Sequence, residues 1–148
     1  MGNNKLLRKA GVIWEGDLKS GKGVISTESQ ALFEQPYAFE TRFENEPGTN
    51  PEELIAAAHA GCYSMAFASA LKKNGYQPKR VDTNATCTLE PLDGGGFAIT
   101  KMDLHVRGQV PDIDEEAFKE ISKEADKGCP VSNLLREGLE ISIDVELV

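Results

Sequence analysis

Two cysteines in different sequence settings carry the most informative chemistry of this chain. Cys62 lies inside an apolar, alanine-rich run, and Cys129 directly precedes Pro130. A thiolate attacked by an oxidant becomes a sulfenic acid, which a second thiol can condense to a disulfide. If folding brings Cys62 and Cys129 together, the chain therefore carries a two-thiol redox centre. One sulfur would attack the oxidant and the other would resolve the product.

Cys129 has a setting that lowers the pKa of a thiol. Pro130 suits the first position of a helix, which makes Cys129 the predicted N-cap. The unpaired amides and the dipole at a helix N-terminus favour an anion there. The alternative is a buried, unreactive cysteine that happens to precede a helix, and composition alone leaves both interpretations open.

Cys62 is predicted to lie about three turns into its helix, beyond strong influence of the helix dipole. Its activation must therefore come from side chains. His59, three residues earlier, could assist as a base, although a histidine in an alanine-rich helix is more often a packing residue. Arg42 is the more physical candidate because a guanidinium stays protonated and can hold a thiolate by charge. The alternative for Arg42 is a solvated strand residue.

The remaining candidate groups favour structural roles. Cys87 occupies the inward face of a strand pattern, where cysteine is usually a small hydrophobe. His59, Cys62 and Cys129 could instead bind a metal, but no paired ligand spacing appears. Gly94–Gly96 is typical of a hairpin turn rather than a phosphate-binding loop. We therefore expect no metal and no cofactor.

Composition narrows the class of protein. A chain of 148 residues predicts a single domain, residues 1–148, that needs no disulfide or metal to fold. Its net charge of -8 opposes binding to nucleic acid. No stretch of 18 apolar residues lacks polar breaks, and the three cysteines do not form a secreted disulfide pattern. We therefore expect a cytoplasmic protein that does not bind membranes.

The hydrophobic pattern predicts an α+β fold of strands, a long helix, a hairpin, two helices and a last strand. The long helix should run from Pro51 to about Lys73, with Asn50 as its N-cap and Asn74-Gly75 as its end. The predicted strands are Gly11–Gly16, Gly23–Glu28, Tyr37–Phe43, Arg80–Glu90, Phe97–Val106 and Leu139–Val148. The other predicted helices are Asp112–Lys127, with Asp114 as a candidate cap, and Pro130–Glu137.

Several motifs taken together closely resemble the OsmC family of osmotically inducible proteins. They are Gly21-Lys22-Gly23, Ile25-Ser26-Thr27-Glu28-Ser29, Pro36-Tyr37, Thr41-Arg42-Phe43, Gly48-Thr49-Asn50-Pro51-Glu52-Glu53-Leu54, Ala57-Ala58-His59-Ala60-Gly61-Cys62, Gly96-Phe97-Ala98-Ile99-Thr100-Lys101 and Cys129-Pro130-Val131-Ser132. The likeness covers nearly the whole chain. The chain is also similar to the organic hydroperoxide resistance (Ohr) branch, but the position of Arg42 resembles the OsmC branch.

The resemblance implies an intertwined homodimer in which antiparallel sheets wrap around long central helices. It also implies thiol-dependent reduction of organic hydroperoxides, and more weakly of hydrogen peroxide, in oxidative or osmotic stress. By position, Cys62 resembles the peroxidatic cysteine and Cys129 its resolving partner, while Arg42 and Glu52 resemble the pair that tunes the pocket. The reductant that the resemblance suggests is an external dithiol such as a lipoyl group. It assigns no catalytic role to Cys87 or His59.

The predicted helix imposes a geometric constraint on this assignment. Glu52 and Cys62 are ten residues apart, which corresponds to about 15 Å of rise along one straight helix. Their side chains cannot touch within it. Either the helix is broken, or Glu52 reaches the site from the other subunit. We expect the second arrangement, with the active sites at the dimer interface.

A function of a different class is compatible with the same residues. The chain could be a non-catalytic, stress-protective protein that binds an apolar ligand and whose thiols only sense oxidation. Repeated turnover with an organic hydroperoxide and a dithiol would favour the peroxidase. A single stoichiometric oxidation would favour the sensor.

Overall fold

The structure is a computed structural model that describes residues 4–147. The chain divides into two compact units, and the division falls between Leu54 and Ile55. Both units contain antiparallel strands and helices, which confirms the α+β class. The single domain over residues 1–148 stays a prediction.

The first unit contains a three-stranded antiparallel sheet in the order β1, β2, β3. Its strands are β1 (Ala10–Glu15), β2 (Lys22–Thr27) and β3 (Gln35–Tyr37). Gly23 pairs with Trp14 on one side and Tyr37 on the other. A Cβ atom at Gly23 would lie 2.6 Å from both aromatic rings, whose centroids are 5.4 Å apart. Glycine at this position therefore allows the two rings to pack across the central strand.

The third predicted strand, Tyr37–Phe43, is wrong over most of its length. The structure ends β3 at Tyr37 and forms a short helix, α1, over Phe39–Phe43. The Thr41 hydroxyl accepts a hydrogen bond from the Ala38 amide (2.9 Å), which stabilises the start of this turn. The rings of Phe39 and Phe43 pack with centroids 4.9 Å apart, as helical spacing allows. Phe39 and Phe43, which the alternating pattern placed on one face of a strand, are thus neighbours on a helix.

The long helix, α2, spans Pro51–Lys73, as the sequence predicted. The Asn50 side chain accepts the Glu53 amide at 2.8 Å, which confirms the N-cap. At the other end the Tyr76 amide donates to the Leu71 carbonyl at 3.0 Å. Gly75 there has a φ of +89°, which favours glycine because it lacks a Cβ atom. The capping residues Asn50 and Gly75 thus mark the two ends of this helix.

The second unit joins the rest of α2 to a hairpin and two further helices. The hairpin strands are β4 (Arg80–Pro91) and β5 (Phe97–Gln109), and the helices are α3 (Glu115–Lys127) and α4 (Pro130–Glu137). Asp114 caps α3 through a hydrogen bond from the Ala117 amide, as predicted. The core consists of apolar side chains from α2 and α3 together with Cys129.

Helix α2 is long and apolar enough, by length and composition alone, to cross a membrane. Within the second unit, however, its Phe67 and Leu71 side chains are fully buried. They pack in one cluster with Ile121 and Ala125 of α3. This burial places one face of α2 in the core of the second unit.

The last predicted strand, Leu139–Val148, is not formed over residues 139–147, and Val148 lies outside the described residues. The apolar residues of this segment alternate along the chain and are exposed: Leu139, Ile141, Ile143, Val145 and Leu147. A strand needs a neighbouring strand to satisfy its backbone groups. The alternating pattern is therefore typical of a strand, but residues 139–147 have no neighbouring strand to pair with among the described residues.

Burial predicts that Leu71→Ala destabilises the protein strongly. The substitution removes a fully buried side chain from the α2–α3 core. We expect the free energy of unfolding to fall by about 2–5 kcal/mol, measured by urea denaturation. The exposed neighbour Lys72→Ala serves as the control and should change it by less than about 0.5 kcal/mol. Equal effects of the two substitutions would contradict the assignment of this core.

Candidate active site

Cys129 lies at the N-cap of α4 and is fully buried. Its Sγ accepts a hydrogen bond from the Ser132 amide at 3.5 Å. Pro130 occupies the first turn of the helix, so the cap predicted from the Cys-Pro pair is confirmed. The sulfur therefore faces the unpaired amides of a helix N-terminus, where negative charge is favoured.

Cys62 projects from the middle of α2 and is half-buried. It packs against the core cluster that contains Cys129. The two side chains lie close enough that each thiol shifts the pKa of the other. Both cysteines are free thiols. Folding thus brings together the two sulfurs that the sequence singled out, although they are far apart in the chain.

The surroundings of the two thiols shift their pKa values in opposite directions. Burial raises the pKa of Cys62; the Val131 amide opposes this effect, and the nearby Cys129 thiol adds to it, so that the net pKa is raised. Burial also raises the pKa of Cys129, but hydrogen bonds from the Ser132 hydroxyl and amide, the Cys62 thiol and the Val131 amide more than offset that effect. The net result is a lowered pKa for Cys129. Within the second unit, negative charge is favoured on Cys129 rather than on Cys62.

A buried pair of polar side chains adjoins the thiols. His59 Nε2 and Ser132 Oγ are 2.7 Å apart, although the residues are 73 positions apart in sequence. Burial lowers the pKa of His59, and the nearby Asp126 carboxylate only partly opposes this shift. The imidazole is therefore neutral at pH 7. His59 and Ser132 also line a cleft of about 640 Å³ between β5, α3 and α4.

Sequence reasoning missed the role of Ser132 in this arrangement. The available signal was its position three residues after the Cys129 cap, where a backbone amide points back at the capping atom. Its contact with His59 had no sequence signal, because it depends on how α4 packs against α2. Cys87 lies on β4, where it pairs with Met102 of β5. Among residues 4–147, no cluster of three His, Cys, Asp or Glu side chains could hold a metal ion.

The first unit places Arg42 and Glu52 in a bidentate ion pair. Arg42 Nε lies 3.0 Å from Glu52 Oε1 and 3.2 Å from Oε2, and the second contact to Oε1 measures 2.7 Å. Glu52 is buried in the first turn of α2, and Arg42 extends from α1. The fork geometry fixes the orientation of the guanidinium, which a lysine could not reproduce.

An apolar pocket adjoins Arg42 within the first unit. The pocket has a volume of about 310 Å³ and is lined by Trp14, Leu18, Tyr37, Ala38, Phe39, Arg42 and Phe43. The Arg42 guanidinium also lies over the Phe43 ring, 4.9 Å from its centroid. The combination offers apolar walls around one fixed positive charge.

The fold and the neighbouring thiols define the class of the protein: an α+β protein in which a cysteine of the long helix packs beside a cysteine at the N-terminus of another helix. The chain belongs to the OsmC family, since the sequence pattern of the OsmC-like proteins matches residues 43–144. The chain is 51% identical to peroxiredoxin OsmC of Escherichia coli K12 over 140 residues, which covers 95% of this chain and 96% of that protein.

The chain is also similar to proteins of the organic hydroperoxide resistance branch. The chain is 32% identical over 105 residues to organic hydroperoxide resistance protein-like 1 of Staphylococcus saprophyticus, covering 70% of this chain and 72% of that protein. The crystal structure of the organic hydroperoxide resistance protein OhrB of Bacillus subtilis matches with a TM-score of 0.64 and 24% identity. That match covers 87% of this chain and 91% of OhrB. The structural likeness confirms the OsmC/Ohr-like fold.

The contacts at Cys129 predict that its thiol ionises below the pH of an ordinary cysteine. The test uses a protein with Cys62→Ser and Cys87→Ser, which leaves one thiol, and follows thiolate absorbance near 240 nm with pH. We expect the midpoint to be lower in the folded protein than in the same protein unfolded in urea, because unfolding removes the hydrogen bonds from Ser132 and Val131. Coincident midpoints would show that these bonds do not stabilise the thiolate.

Proposed function

We propose that this chain is a thiol-dependent peroxidase that reduces organic hydroperoxides, and hydrogen peroxide more weakly, in stress defence in the cytoplasm. The observation that carries the proposal is the packing of Cys62 against the core cluster that contains Cys129, which brings the two thiols together at the start of α4. The names of the relatives, peroxiredoxin and organic hydroperoxide resistance protein, support the same chemistry. The reaction has three steps.

In the first step, the Cys62 thiolate attacks the terminal oxygen of the hydroperoxide. The O–O bond breaks, the departing alkoxide takes a proton to form an alcohol, and Cys62 becomes a sulfenic acid. In the second step, Cys129 displaces the hydroxyl group of the sulfenic acid. A disulfide and water result, and Cys62 is protected from further oxidation. In the third step, an external dithiol reduces the disulfide and is itself oxidised; lipoyl groups are the family-based candidate.

Ionisation of Cys62 requires a cation that the second unit does not supply through its described contacts, since burial and Cys129 both raise the pKa of Cys62. We propose that Arg42 provides this charge and that Glu52 orients it. Helix α2 is continuous from Pro51 to Lys73, so it has no break between Glu52 and Cys62. This continuity supports the arrangement in which Glu52 comes from a partner subunit.

The Arg42–Glu52 ion pair supports a shared site that includes Arg42. Because Arg42 and Glu52 of the same chain bind each other through both carboxylate oxygens, they should enter the site together. We therefore propose a homodimer in which the Arg42–Glu52 pair of one subunit stabilises the Cys62 thiolate of the other. The exposed apolar residues of the 139–147 segment support an extensive subunit interface.

The pocket beside Arg42 supports an organic substrate. Its aromatic walls from Trp14, Tyr37, Phe39 and Phe43 can remove the alkyl or aryl group of a hydroperoxide from water. Hydrogen peroxide has no such group and gains nothing from these walls. The expected preference is therefore for organic hydroperoxides.

The division of roles between the cysteines predicts two distinct defects. Cys62→Ser should abolish hydroperoxide consumption, because the Cys129 sulfur is fully buried whereas Cys62 is partly exposed. Cys129→Ser should retain a first turnover but accumulate a sulfinic acid at Cys62, seen as a gain of two oxygen atoms by intact-protein mass spectrometry. Cys87→Ser is the matched control and should retain multiple turnovers with a dithiol.

Unchanged turnover in Cys62→Ser would refute the assignment of the peroxidatic cysteine. If the unsubstituted protein consumes only one equivalent of hydroperoxide despite excess dithiol, the chain is a thiol sensor rather than an enzyme. These outcomes separate the proposed peroxidase from the non-catalytic alternative.

Shared sites predict complementation between two inactive chains. Arg42→Leu and Cys62→Ser subunits, co-expressed with different tags and purified as mixed dimers, should show about half the wild-type rate, because each mixed dimer retains one complete site. Each variant alone should be nearly inactive. If Arg42 and Cys62 of the same chain form the site, the mixed dimers would contain no complete site and would stay inactive.

A further inference from the structure

The thiol pair rests on a second layer of buried polar groups that the proposed mechanism does not use. His59 is 6% exposed and Ser132 is 4% exposed, and their side chains lie 2.7 Å apart. The Ser132 amide donates to the Cys129 sulfur at 3.5 Å, which places the Ser132 side chain beside that sulfur, and the Ser132 hydroxyl lowers the pKa of Cys129. Ser132 therefore connects the imidazole of α2 to a reacting sulfur on α4.

The surroundings of His59 Nδ1 determine which atom donates in the contact between His59 and Ser132. Nδ1 is buried and has no hydrogen-bond partner among the described residues. A neutral imidazole carries its proton on one nitrogen, and a buried N–H without an acceptor is costly and rare. The proton therefore lies on Nε2, which donates to Ser132 Oγ. The Ser132 O–H is then left to donate to Cys129 Sγ.

We propose that His59 is a positioning residue that holds the Ser132 hydroxyl on the Cys129 sulfur, so that Cys129 reacts as a thiolate in resolution and in disulfide reduction. This inference rests on the proposed peroxidase function. In this arrangement His59 Nε2–H donates to Ser132 Oγ, and Ser132 Oγ–H donates to Cys129 Sγ. His59 acts only through Ser132, whereas Ser132 contacts the reacting atom.

The arrangement assists two steps whose atoms balance without an additional reactant. In resolution, the Cys129 thiolate forms the S–S bond to Cys62 while hydroxide leaves and takes a proton to become water. In reduction, one thiolate of the dithiol attacks the Cys62 sulfur and the electron pair of the S–S bond returns to Cys129. A sulfur that is stabilised as a thiolate leaves faster. The second thiol of the reductant then completes its own disulfide and releases Cys62.

Other ionisable groups lie near the His59–Ser132 pair and must stay unchanged when the titration of Cys129 is compared between variants. Asp126 of α3 and Arg136 of α4 form an ion pair at 2.7 Å, and both act on His59 with opposite sign. Tyr63 of α2 donates its hydroxyl to the Ser122 carbonyl at 2.9 Å. Lys101 of β5 lines the same cleft as His59 and Ser132, and the Cys62 thiol lies beside Cys129. The variants used in the test leave Asp126, Arg136 and Tyr63 in place.

The test measures the ionisation of Cys129 directly. In the protein with Cys62→Ser and Cys87→Ser, thiolate absorbance near 240 nm is recorded against pH for added Ser132→Ala, His59→Leu and His59→Gln. We expect Ser132→Ala to lower the thiolate fraction at a fixed pH below the midpoint roughly tenfold, since one hydrogen bond to a charged sulfur is lost. His59→Leu should shift the titration in the same direction by a smaller amount. His59→Gln retains an N–H donor near the Nε2 position and should restore the parent titration.

Ser122→Ala is the matched control, because this hydroxyl binds the Lys119 carbonyl on α3 and does not contact the thiols. Its titration should match that of the parent protein. Circular dichroism and urea unfolding identify any variant that fails to fold, and Ser132→Ala changes the packed volume least. An unchanged titration in folded Ser132→Ala would overturn the proposal. Equal titrations in folded His59→Leu and His59→Gln would overturn the role of His59.

A second measurement separates this inference from the peroxidase itself. With both cysteines restored, Ser132→Ala should slow steady-state turnover with hydroperoxide and dithiol, and should increase the fraction of Cys62 found as sulfinic acid. A shifted titration in a protein that shows no turnover would support the His59–Ser132 arrangement and refute the peroxidase. An unshifted titration in an active enzyme would refute the His59–Ser132 arrangement and support the peroxidase.

Discussion

The chemistry of this protein depends on how a negative charge is stabilised at a sulfur that lies inside the protein. Burial by itself raises the pKa of both Cys62 and Cys129 and favours their neutral forms. At Cys129, the amides at the start of α4 and the hydroxyl of Ser132 reverse this effect. A buried thiolate can therefore exist only where such donors converge. The position of α4 relative to α2 sets this condition.

The same environment makes the two cysteines compete for one negative charge. The nearby thiols raise the pKa of Cys62 and lower that of Cys129, so the surroundings within the second unit favour a thiolate on Cys129 and disfavour one on Cys62. A peroxidatic Cys62 needs an opposing cation, which we propose Arg42 of a partner subunit provides. Once Cys62 is oxidised, this competition ends and the donors around Cys129 serve the resolving step. The two proposed roles are thus compatible because they act in sequence.

The Arg42–Glu52 pair shows how a short local structure can fix the orientation of a charge. The α1 turn replaces the predicted strand and presents Arg42 to the first turn of α2, where Glu52 is buried. Both carboxylate oxygens bind the guanidinium, which fixes its orientation while about a third of its surface stays exposed. A fixed but accessible cation is suited to binding an anion brought by another chain.

Local patterns predicted much of the fold because the physical causes are local. Asn50, Asp114 and Cys129 cap helices through amides a few residues away, so their types and spacing were sufficient evidence. The strand prediction failed over Phe39–Phe43, because a five-residue helix and a strand can place the same aromatic residues side by side. It also failed over residues 139–147, because alternation predicts a strand only where a neighbouring strand is present.

The sequence by itself determined the thiols, their helix settings and the family to which the chain belongs, since these follow from residue type and short-range spacing. Only the tertiary structure decided that Cys62 packs beside Cys129, and that His59 reaches Ser132 across 73 residues. The reason is that a thiol pKa depends on atoms within a few ångströms of the sulfur. Those atoms come from α2 and α4, whose packing no local pattern specifies.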